Sequence, residues 1–340
     1  MELFSDERND FIYDHYDYLN EKINETYEYV KPYKKEVDLS NMPKLSHKKL
    51  DSYFRDYLMY IDPEGDYLKA YEYMIKNNRI IFLDMLPEED QEKFLKGLNV
   101  EDMTYRNFLF HGLNNGSYLI IDRKGDISDF KNLAHEFTHY LTRHYNSNFF
   151  NGNRECDLIC EFPNIYYEIL ANQFLMSKGY KSEDVAACSA YRCNLIYNTS
   201  ENFGVVNDYF EMYKDLGEIT RKEDISRRRI EIDNYANKVG YDRFKELLKD
   251  DKTINDPALM ADMFSESCGI ILFSIPDVMK QGYSYIIGYY LACKYLARTV
   301  KNQEVLKEMK DITMNLPNIN LYDLFRTVDQ DFDDYQKKMS

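Results

Sequence analysis

The chain has 340 residues and a formal net charge of −16, and it is long enough to bury a sizeable core. So acidic a protein is not expected to bind nucleic acid as its main task, because a phosphate backbone attracts lysine and arginine. There are only 13 glycines and 8 prolines, which together with many good helix formers predict a mainly α-helical protein.

The first residues contain no basic segment followed by an apolar core, so the sequence does not predict a signal peptide. No apolar run approaches the roughly 18 residues that a membrane-spanning helix needs, and we expect no contact with a membrane. The six cysteines are most simply free thiols. Together these features favour a cytoplasmic location, whereas the sequence does not indicate an oligomeric state.

Three predicted helices come first, and they carry no chemical motif. Apolar periodicity and helix-breaking prolines place them over residues 7–35, 47–61 and 64–77. We expect them to form an N-terminal helical lobe over residues 1–78 that shapes one side of a cleft. The rest of the chain, residues 79–340, is then expected to form the catalytic region as one compact unit.

The pattern changes to that of strands after residue 78. A short apolar run covers residues 79–83, and a predicted helix over 88–98 follows it. Two further runs, 107–112 and 118–122, flank Asn115-Gly116, and β-rich runs around Asn-Gly are typical of a hairpin. The sequence therefore predicts a small antiparallel sheet, whose edge strand could pair with an extended peptide.

The next helix carries the chemistry, because residues 135–139 read His-Glu-Phe-Thr-His. Histidines at i and i+4 project from one face of a helix and can bind one zinc ion, with the intervening Glu136 beside the open coordination position. Zinc with three protein ligands lowers the pKa of a bound water and polarises a carbonyl. By chance, such a motif arises in roughly one chain of this length in a hundred.

The residues around the motif favour the metal interpretation. Asp126, as the N-cap, and Asp129 are typical of a helix start. An apolar face follows, formed by Phe130, Leu133, Ala134, Phe137 and Leu141. His135 and His139 fall on the opposite face of the helix. They are therefore expected to face either solvent or a second layer that supplies further ligands.

The third ligand is expected from a following helix. The register of the metzincin motif fails, because Thr142 and Tyr145 occupy the positions that this motif gives to glycine and histidine. A predicted helix over residues 161–178 instead carries Glu161 and Glu168, which are seven residues apart and therefore on one face. A glutamate ligand on a following helix defines the gluzincin arrangement.

With these residues in place, the sequence resembles the thimet oligopeptidase and oligoendopeptidase F family of zinc peptidases, in a shortened form. Three blocks carry the resemblance. They are residues 118–139, the segment Glu161-Phe162-Pro163-Asn164 with Glu168, and a tyrosine-rich segment with Tyr283, Tyr285, Gly288 and Tyr289. The resemblance implies a zincin-like helical catalytic domain with a small antiparallel sheet before the motif helix.

The resemblance also implies a zinc-dependent endopeptidase that hydrolyses short peptides. One zinc ion per chain would be held by His135, His139 and Glu161, and Glu136 would act as general base on the zinc-bound water. Glu168 would orient a ligand imidazole. A phenol of the third block would donate a hydrogen bond to the oxyanion. The candidates for this last role are Tyr283, Tyr285 and Tyr289.

Two departures from the family keep other functions open. Thr138 stands where the family usually has glycine, and no histidine follows His144. The family has a substrate-facing histidine shortly before the tyrosine block, near the place that Asp277 occupies here. The alternative function is a catalytically weak or inactive peptidase-like protein that binds a peptide or a partner protein on the same scaffold. A third possibility is a structural helical protein with an accidental motif.

Overall fold

The computed structural model describes residues 15–33, 41–97, 107–111, 117–146, 156–190, 193, 284–298, 304–329 and 332. In this part of the chain the protein is mainly helical and contains one small sheet. The expected mainly α-helical fold class is therefore confirmed. None of the described helices combines the length and the apolar character that crossing a membrane requires.

The first three helices lie where apolar periodicity predicts them. They are α1 (Tyr16–Val30), α2 (His47–Ile61) and α3 (Asp66–Lys76). Helix α1 passes into a short 3₁₀ turn that contains Pro32, and residues 7–14 and 34–35 of its predicted range lie outside the described residues. Gly65 adopts a left-handed φ of 80° between α2 and α3, and Asp62 accepts a hydrogen bond from the backbone N–H of Tyr67 at 2.8 Å. This turn folds α3 back beside α2.

The sheet has three strands in the order β1-β3-β2. They are β1 (Ile80–Phe82), β2 (Phe108–His111) and β3 (Ser117–Ile121). Strands β2 and β3 pair antiparallel, as the hairpin prediction requires, although the turn residues 112–116 lie outside the described part. Strand β1 pairs parallel to β3. The prediction of a purely antiparallel sheet was wrong, because β1 lies on the other side of β3 from β2 and runs in the same direction as β3.

The remaining described helices complete the fold. They are α4 (Glu88–Gly97), α5 (Ser128–Tyr145), α6 (Cys156–Ile159), α7 (Phe162–Ser177), α8 over 182–190, α9 over 284–298, α10 (Glu304–Asn315) and α11 (Leu321–Val328). Helices α5 and α7 lie side by side in the centre. The side chain of Phe130 on α5 stacks on Phe174 of α7 with ring centroids 5.5 Å apart. The motif helix and the next long helix are thus held together by aromatic packing.

One hydrophobic core extends across the expected boundary between residues 78 and 79. Phe54 of α2 packs against Phe130 and Phe137 of α5. The hydroxyl of Tyr57 donates a 2.6 Å hydrogen bond to the backbone oxygen of Tyr167 on α7. Burying each such aromatic side chain contributes about 1.5–3 kcal/mol. The helices of residues 15–78 therefore form one wall of the same core that supports α5 and α7.

The cysteines whose side chains are described carry free thiols, as the sequence predicts. They are Cys160, Cys188, Cys193 and Cys293. Burial raises the pKa of the Cys188 thiol to about 11. A thiol with so high a pKa is a poor nucleophile near neutral pH, so Cys188 contributes packing to the core.

Candidate metal centre

The motif helix α5 begins at Ser128, two residues after the predicted N-cap. Ile127 occupies the cap position and provides no side-chain hydrogen bond. Asp126 still supports the start of the helix, because its Oδ1 accepts hydrogen bonds from the backbone N–H and the hydroxyl of Ser128 at 2.9 and 2.6 Å. A difference of one or two residues at a helix end is common, and it leaves the register of the motif unchanged.

Asp129 fixes the loop that leads into α5. Its two carboxylate oxygens accept hydrogen bonds from the backbone N–H groups of Lys124 and Gly125, each at 2.8 Å. Gly125 adopts a left-handed φ of 73°, which a glycine tolerates without steric cost. Burial raises the pKa of Asp129 to about 6 despite these two hydrogen bonds. The chain therefore enters the motif helix in a fixed direction.

The two motif histidines face α7, across from the apolar face of α5. His135 is buried, and the side chain of His139 is 22% exposed. Of the two sequence alternatives, the structure therefore shows the one in which the histidines face a second layer of the fold, and Glu161 and Glu168 belong to that layer. Thr138, between them, is buried and donates its hydroxyl to the backbone oxygen of Ala134 at 2.8 Å. Its side chain therefore fits within the helix packing where the resembled family has glycine.

Glu161 completes the set of candidate metal ligands. It directly precedes α7, whose first turn contains Pro163. One carboxylate oxygen of Glu161 lies 3.4 Å from Nε2 of His135, and the other lies 3.6 Å from Nε2 of His139. The three ligand atoms lie within 4.8 Å of one another. The structure thus brings together the three residues that the sequence singles out as metal ligands.

These distances bring the three side chains close enough to share one metal ion. Ligand atoms at about 2.0–2.2 Å from zinc in a tetrahedral arrangement lie about 3.3–3.6 Å from one another. The separations of 3.4 and 3.6 Å involve two different oxygens of Glu161, and one atom from each of the three residues lies within 4.8 Å of the others. Closing the site around a metal ion would therefore need only a small movement of these side chains. Two imidazoles and one carboxylate are a donor set that suits zinc, and cobalt or manganese could substitute for it. The residues present therefore fit the metal that the sequence implies.

Glu168 lies on the far side of the His135 ring. Its Oε2 is 3.1 Å from Nδ1 of His135, and its side chain is buried. A carboxylate at Nδ1 favours the tautomer that carries the proton there, so that Nε2 keeps a lone pair for a metal. The predicted orienting role of Glu168 thus has the required geometry.

Asn164 is a part of the site to which sequence reasoning gave no role. Its Nδ2 lies 2.9 Å from Nδ1 of His139 and donates to the backbone oxygen of Cys160 at 2.9 Å. Its Oδ1 is buried and has no hydrogen-bond partner among the described residues. A metal-bound His139 with its proton on Nδ1 would need an acceptor at this place. The available signal was the position of Asn164, one helical turn after Glu161.

Glu136, the expected general base, is buried next to His135 in the helix, with 3% of its surface exposed. His144 lies apart from the ligands and stacks on Tyr140 with ring centroids 5.2 Å apart. Burial, together with the charge of Arg79, lowers the pKa of His144. His144 as a whole is nevertheless exposed at the surface, in line with its failure to fit the metzincin register.

The tyrosine-rich segment approaches the site through Gly288 on α9. A Cβ atom at Gly288 would lie 2.9 Å from the backbone nitrogen of Phe162 and 3.1 Å from the carbonyl carbon of Glu161. Only a glycine allows so close an approach. Helix α9 thus lies directly against the backbone of Glu161, a candidate metal ligand, which connects the third sequence block to the other two.

The expected oxyanion donors have different surroundings. Tyr285 is half-buried, and it lies three residues before Gly288, so that both lie on one face of α9. Tyr289 is buried, and its hydroxyl lies 3.9 Å from the sulfur of Cys193. Burial is the largest cause that raises the pKa of the Tyr289 hydroxyl. Tyr283, like Asp277, lies outside the described residues.

Comparisons of the chain with protein-family models, with curated proteins and with solved structures found no match. The interpretation of the site therefore depends on the residue types, the distances and the burial given above. The sequence resemblance adds the order of the three blocks along the chain.

Proposed function

We propose that the protein is a zinc-dependent endopeptidase that hydrolyses short peptides, in the manner of the oligopeptidase family that its sequence resembles. One observation carries the proposal: the ligand atoms of His135, His139 and Glu161 lie within 4.8 Å of one another although the residues come from two segments of the chain. Their chemistry suits one zinc ion per chain. The carboxylate of Glu168 behind His135 supports the same assignment.

Each residue of the site has a defined task in this proposal. Zinc, when bound, supplies Lewis-acid chemistry that activates water and polarises the scissile carbonyl. Glu136 takes the proton from the attacking water and passes it to the leaving amine. Glu168 holds the ring of His135 through Nδ1, and Asn164 contacts the ring of His139.

The oxyanion that develops on the scissile carbonyl needs a hydrogen-bond donor, and the packing favours Tyr285 for this task. Tyr285 shares a helix face with Gly288, which lies against the backbone of Glu161. Tyr283 is the second candidate. Tyr289 is the weakest of the three, because its hydroxyl already lies beside a buried thiol.

The substrate approaches from the side of His139. The His139 side chain is 22% exposed, whereas those of His135 and Glu161 are 3% and 9% exposed. Strands β1 and β2 form the two outer edges of the sheet, and an edge strand can pair with an extended peptide. The free thiols of the described cysteines suit a reducing compartment, so we propose a cytoplasmic peptidase.

The test combines metal analysis with a peptide assay. We expect the purified protein to contain one zinc ion per chain and to cleave members of a broad library of quenched fluorescent peptides. Glu136→Gln should keep the zinc and lose about 10²- to 10⁴-fold in activity, because it removes the general base. Glu183→Gln, on an exposed turn of α8, is the matched control. A zinc-loaded Glu136→Gln variant with full activity would refute the mechanism.

The second candidate function is peptide or partner binding without efficient hydrolysis. The observation that favours it is the absence of any histidine after His144 in the sequence, since the resembled family places a substrate-facing histidine there. A zinc-loaded protein that binds library peptides but cleaves none of them would support this function. Cleavage that a chelator abolishes and added zinc restores would exclude it.

A further inference from the structure

A buried lysine lies behind the metal centre. Lys131 stands one helical turn before His135 on α5, and its side chain is only 4% exposed. Its Nζ is 3.6 Å from Oε1 of Glu168 and 3.2 Å from the hydroxyl of Ser189. Lysine is rarely buried unless its charge is paired. The ion pair with Glu168 therefore accounts for the burial of Lys131.

The two oxygens of Glu168 are occupied on opposite sides. Oε1 faces the ammonium of Lys131, while Oε2 faces Nδ1 of His135. A carboxylate that is held at both oxygens cannot rotate freely about its terminal bond. The ion pair with Lys131 thus determines where Glu168 presents the oxygen that holds the His135 ring.

Helix α8 contacts Lys131 through the hydroxyl of Ser189. The hydroxyl of Ser189 lies within hydrogen-bond distance of Lys131 and accepts a hydrogen bond from Nδ2 of Asn172 at 3.0 Å. The same hydroxyl donates to the backbone oxygen of Val185 at 3.1 Å. A continuous polar connection therefore runs from α8 through Lys131 and Glu168 to His135.

The site contains several buried negative charges, and Lys131 is a buried positive charge beside them. Glu136, Glu161 and Glu168 place three carboxylates in or beside the buried site. Two of them have tasks at the metal itself, as ligand and as general base. Glu168 lies at Nδ1 of His135, away from the candidate ligand atom Nε2, and an uncompensated carboxylate there would be costly to bury. Lys131 supplies the compensating charge on the side away from the histidine.

We propose that Lys131 is a positioning residue for the metal centre, which sets the zinc affinity through Glu168. The inference rests on the proposed zinc site of His135, His139 and Glu161. Lys131 does not touch the metal or the substrate. It keeps Glu168 aligned, and Glu168 in turn keeps Nε2 of His135 directed at the metal. Interactions of this kind typically change metal affinity by about 10- to 100-fold.

The test is a double-mutant cycle on the zinc dissociation constant, measured by competition with a chromogenic chelator. Lys131→Met and Glu168→Gln should each weaken zinc binding by about 10- to 100-fold. The double variant should bind zinc no more weakly than Glu168→Gln alone, within about twofold, because Lys131 acts only through Glu168. The absorption spectrum of the cobalt-loaded variants should change in the same pattern, which reports the ligand geometry without any activity assay.

Two controls separate positioning from folding. Lys178→Met removes a lysine from a more exposed ion pair with Asp56 and should leave the zinc affinity unchanged. Thermal unfolding in the presence of a chelator reports whether each variant folds without metal. If Lys131→Met does not fold, Lys131→Gln, which keeps a hydrogen-bond donor and removes the charge, takes its place in the cycle.

The outcomes are distinguishable. Zinc that binds tightly to the natural protein, with an unchanged or tighter affinity in the folded Lys131 variant, would overturn the inference and leave the proposed function intact. Losses that simply add in the double variant would also overturn it, because Lys131 would then act independently of Glu168. If the natural protein bound no zinc, the proposed function and the inference would both be wrong.

Discussion

The Oε2 atom of Glu168 lies 3.1 Å from Nδ1 of His135, and both side chains are buried. The relationship joins the motif helix to α7 at a point two helical turns beyond Glu161. Two glutamates on one face of α7 and its N-cap position therefore contact the same histidine, one at each ring nitrogen. Glu161 is placed to share a metal with Nε2, and Glu168 is placed to hold the proton on Nδ1.

This division of labour predicts a ranking of zinc affinities. Glu161→Ala removes a ligand and should abolish stoichiometric binding at micromolar protein and zinc. Glu168→Ala keeps all three ligands and should weaken binding by about 10- to 100-fold, because His135 loses its orienting acceptor. Isothermal titration with zinc checks both values, with Glu183→Ala on an exposed turn of α8 as the control. Equal affinities of the Glu161 and Glu168 variants would contradict the assignment.

Asn164 can hold the proton on Nδ1 of His139, as Glu168 does for His135, when its amide is turned so that Oδ1, which has no hydrogen-bond partner among the described residues, replaces Nδ2 beside the ring. Removing its amide in Asn164→Ala is expected to weaken zinc binding by about tenfold, and Asn164→Asp should recover part of the loss, since a carboxylate can accept the Nδ1 proton. Asn77→Ala is the matched control, because the Asn77 amide also donates to a backbone oxygen four residues earlier but lies on the surface. An Asn164→Asp variant that binds zinc no better than Asn164→Ala would exclude this role.

The sequence predicts the local features of this protein well. The limits of α2 at His47 and Ile61 agree with the predicted 47–61, because apolar periodicity and a following proline act within a few residues. The shared face of His135 and His139 also follows from short-range geometry, whereas the choice of Glu161 as their partner came from the following predicted helix and the family resemblance. An i, i+4 spacing fixes one face of a helix, and that face needs further ligands from another segment.

Features that depend on distant contacts were not predictable in the same way. The parallel pairing of β1 depends on the order in which separate segments join β3, and no local pattern contains that order. The burial of Lys131 depends on α7 and α8, which supply Glu168 and Ser189. Tyr289 was a candidate for the oxyanion, yet its environment is set by Cys193, almost a hundred residues earlier.

The carboxyl of Asp129 should make stability depend on pH between about 4 and 6. Its pKa is raised to about 6 in the folded protein, against about 3.9 in an unfolded chain. The folded state therefore binds more protons in this window, and its free energy of unfolding falls as the pH rises from about 4 to about 6, by no more than about 3 kcal/mol from this group. Urea unfolding of the natural protein and of Asp129→Asn across this range measures the effect. A difference between the two that does not change with pH would contradict it.

The ion pairs of Lys310 on α10 should stabilise the folded state. Its Nζ donates to the carboxylates of Asp62, Glu64 and Asp66, each at 2.8 Å. Asp62 is buried, so Lys310→Met leaves it without this cation and should cost about 3–5 kcal/mol of stability. Glu64 is exposed, and Glu64→Gln should change stability by less than about 1 kcal/mol. Chemical denaturation of the two variants gives the comparison, and similar losses in both would show that burial of the partner does not decide the cost.

Gly288 should couple the packing of α9 to the metal centre. In Gly288→Ala the new methyl group would lie 2.9 Å from the backbone nitrogen of Phe162, which is too close without movement of α9 or of Glu161. Overpacking of this kind costs about 1–3 kcal/mol, and the better helix propensity of alanine returns at most about 1 kcal/mol of it. Ala297→Gly, at an exposed position of the same helix, measures the propensity contribution alone. Because the strain falls on a ligand, we expect Gly288→Ala to weaken zinc binding as well as to lower stability in the presence of a chelator. A variant that loses stability but keeps its zinc affinity would mean that α9 yields instead of Glu161, and that the tyrosine helix moves independently of the metal ligands.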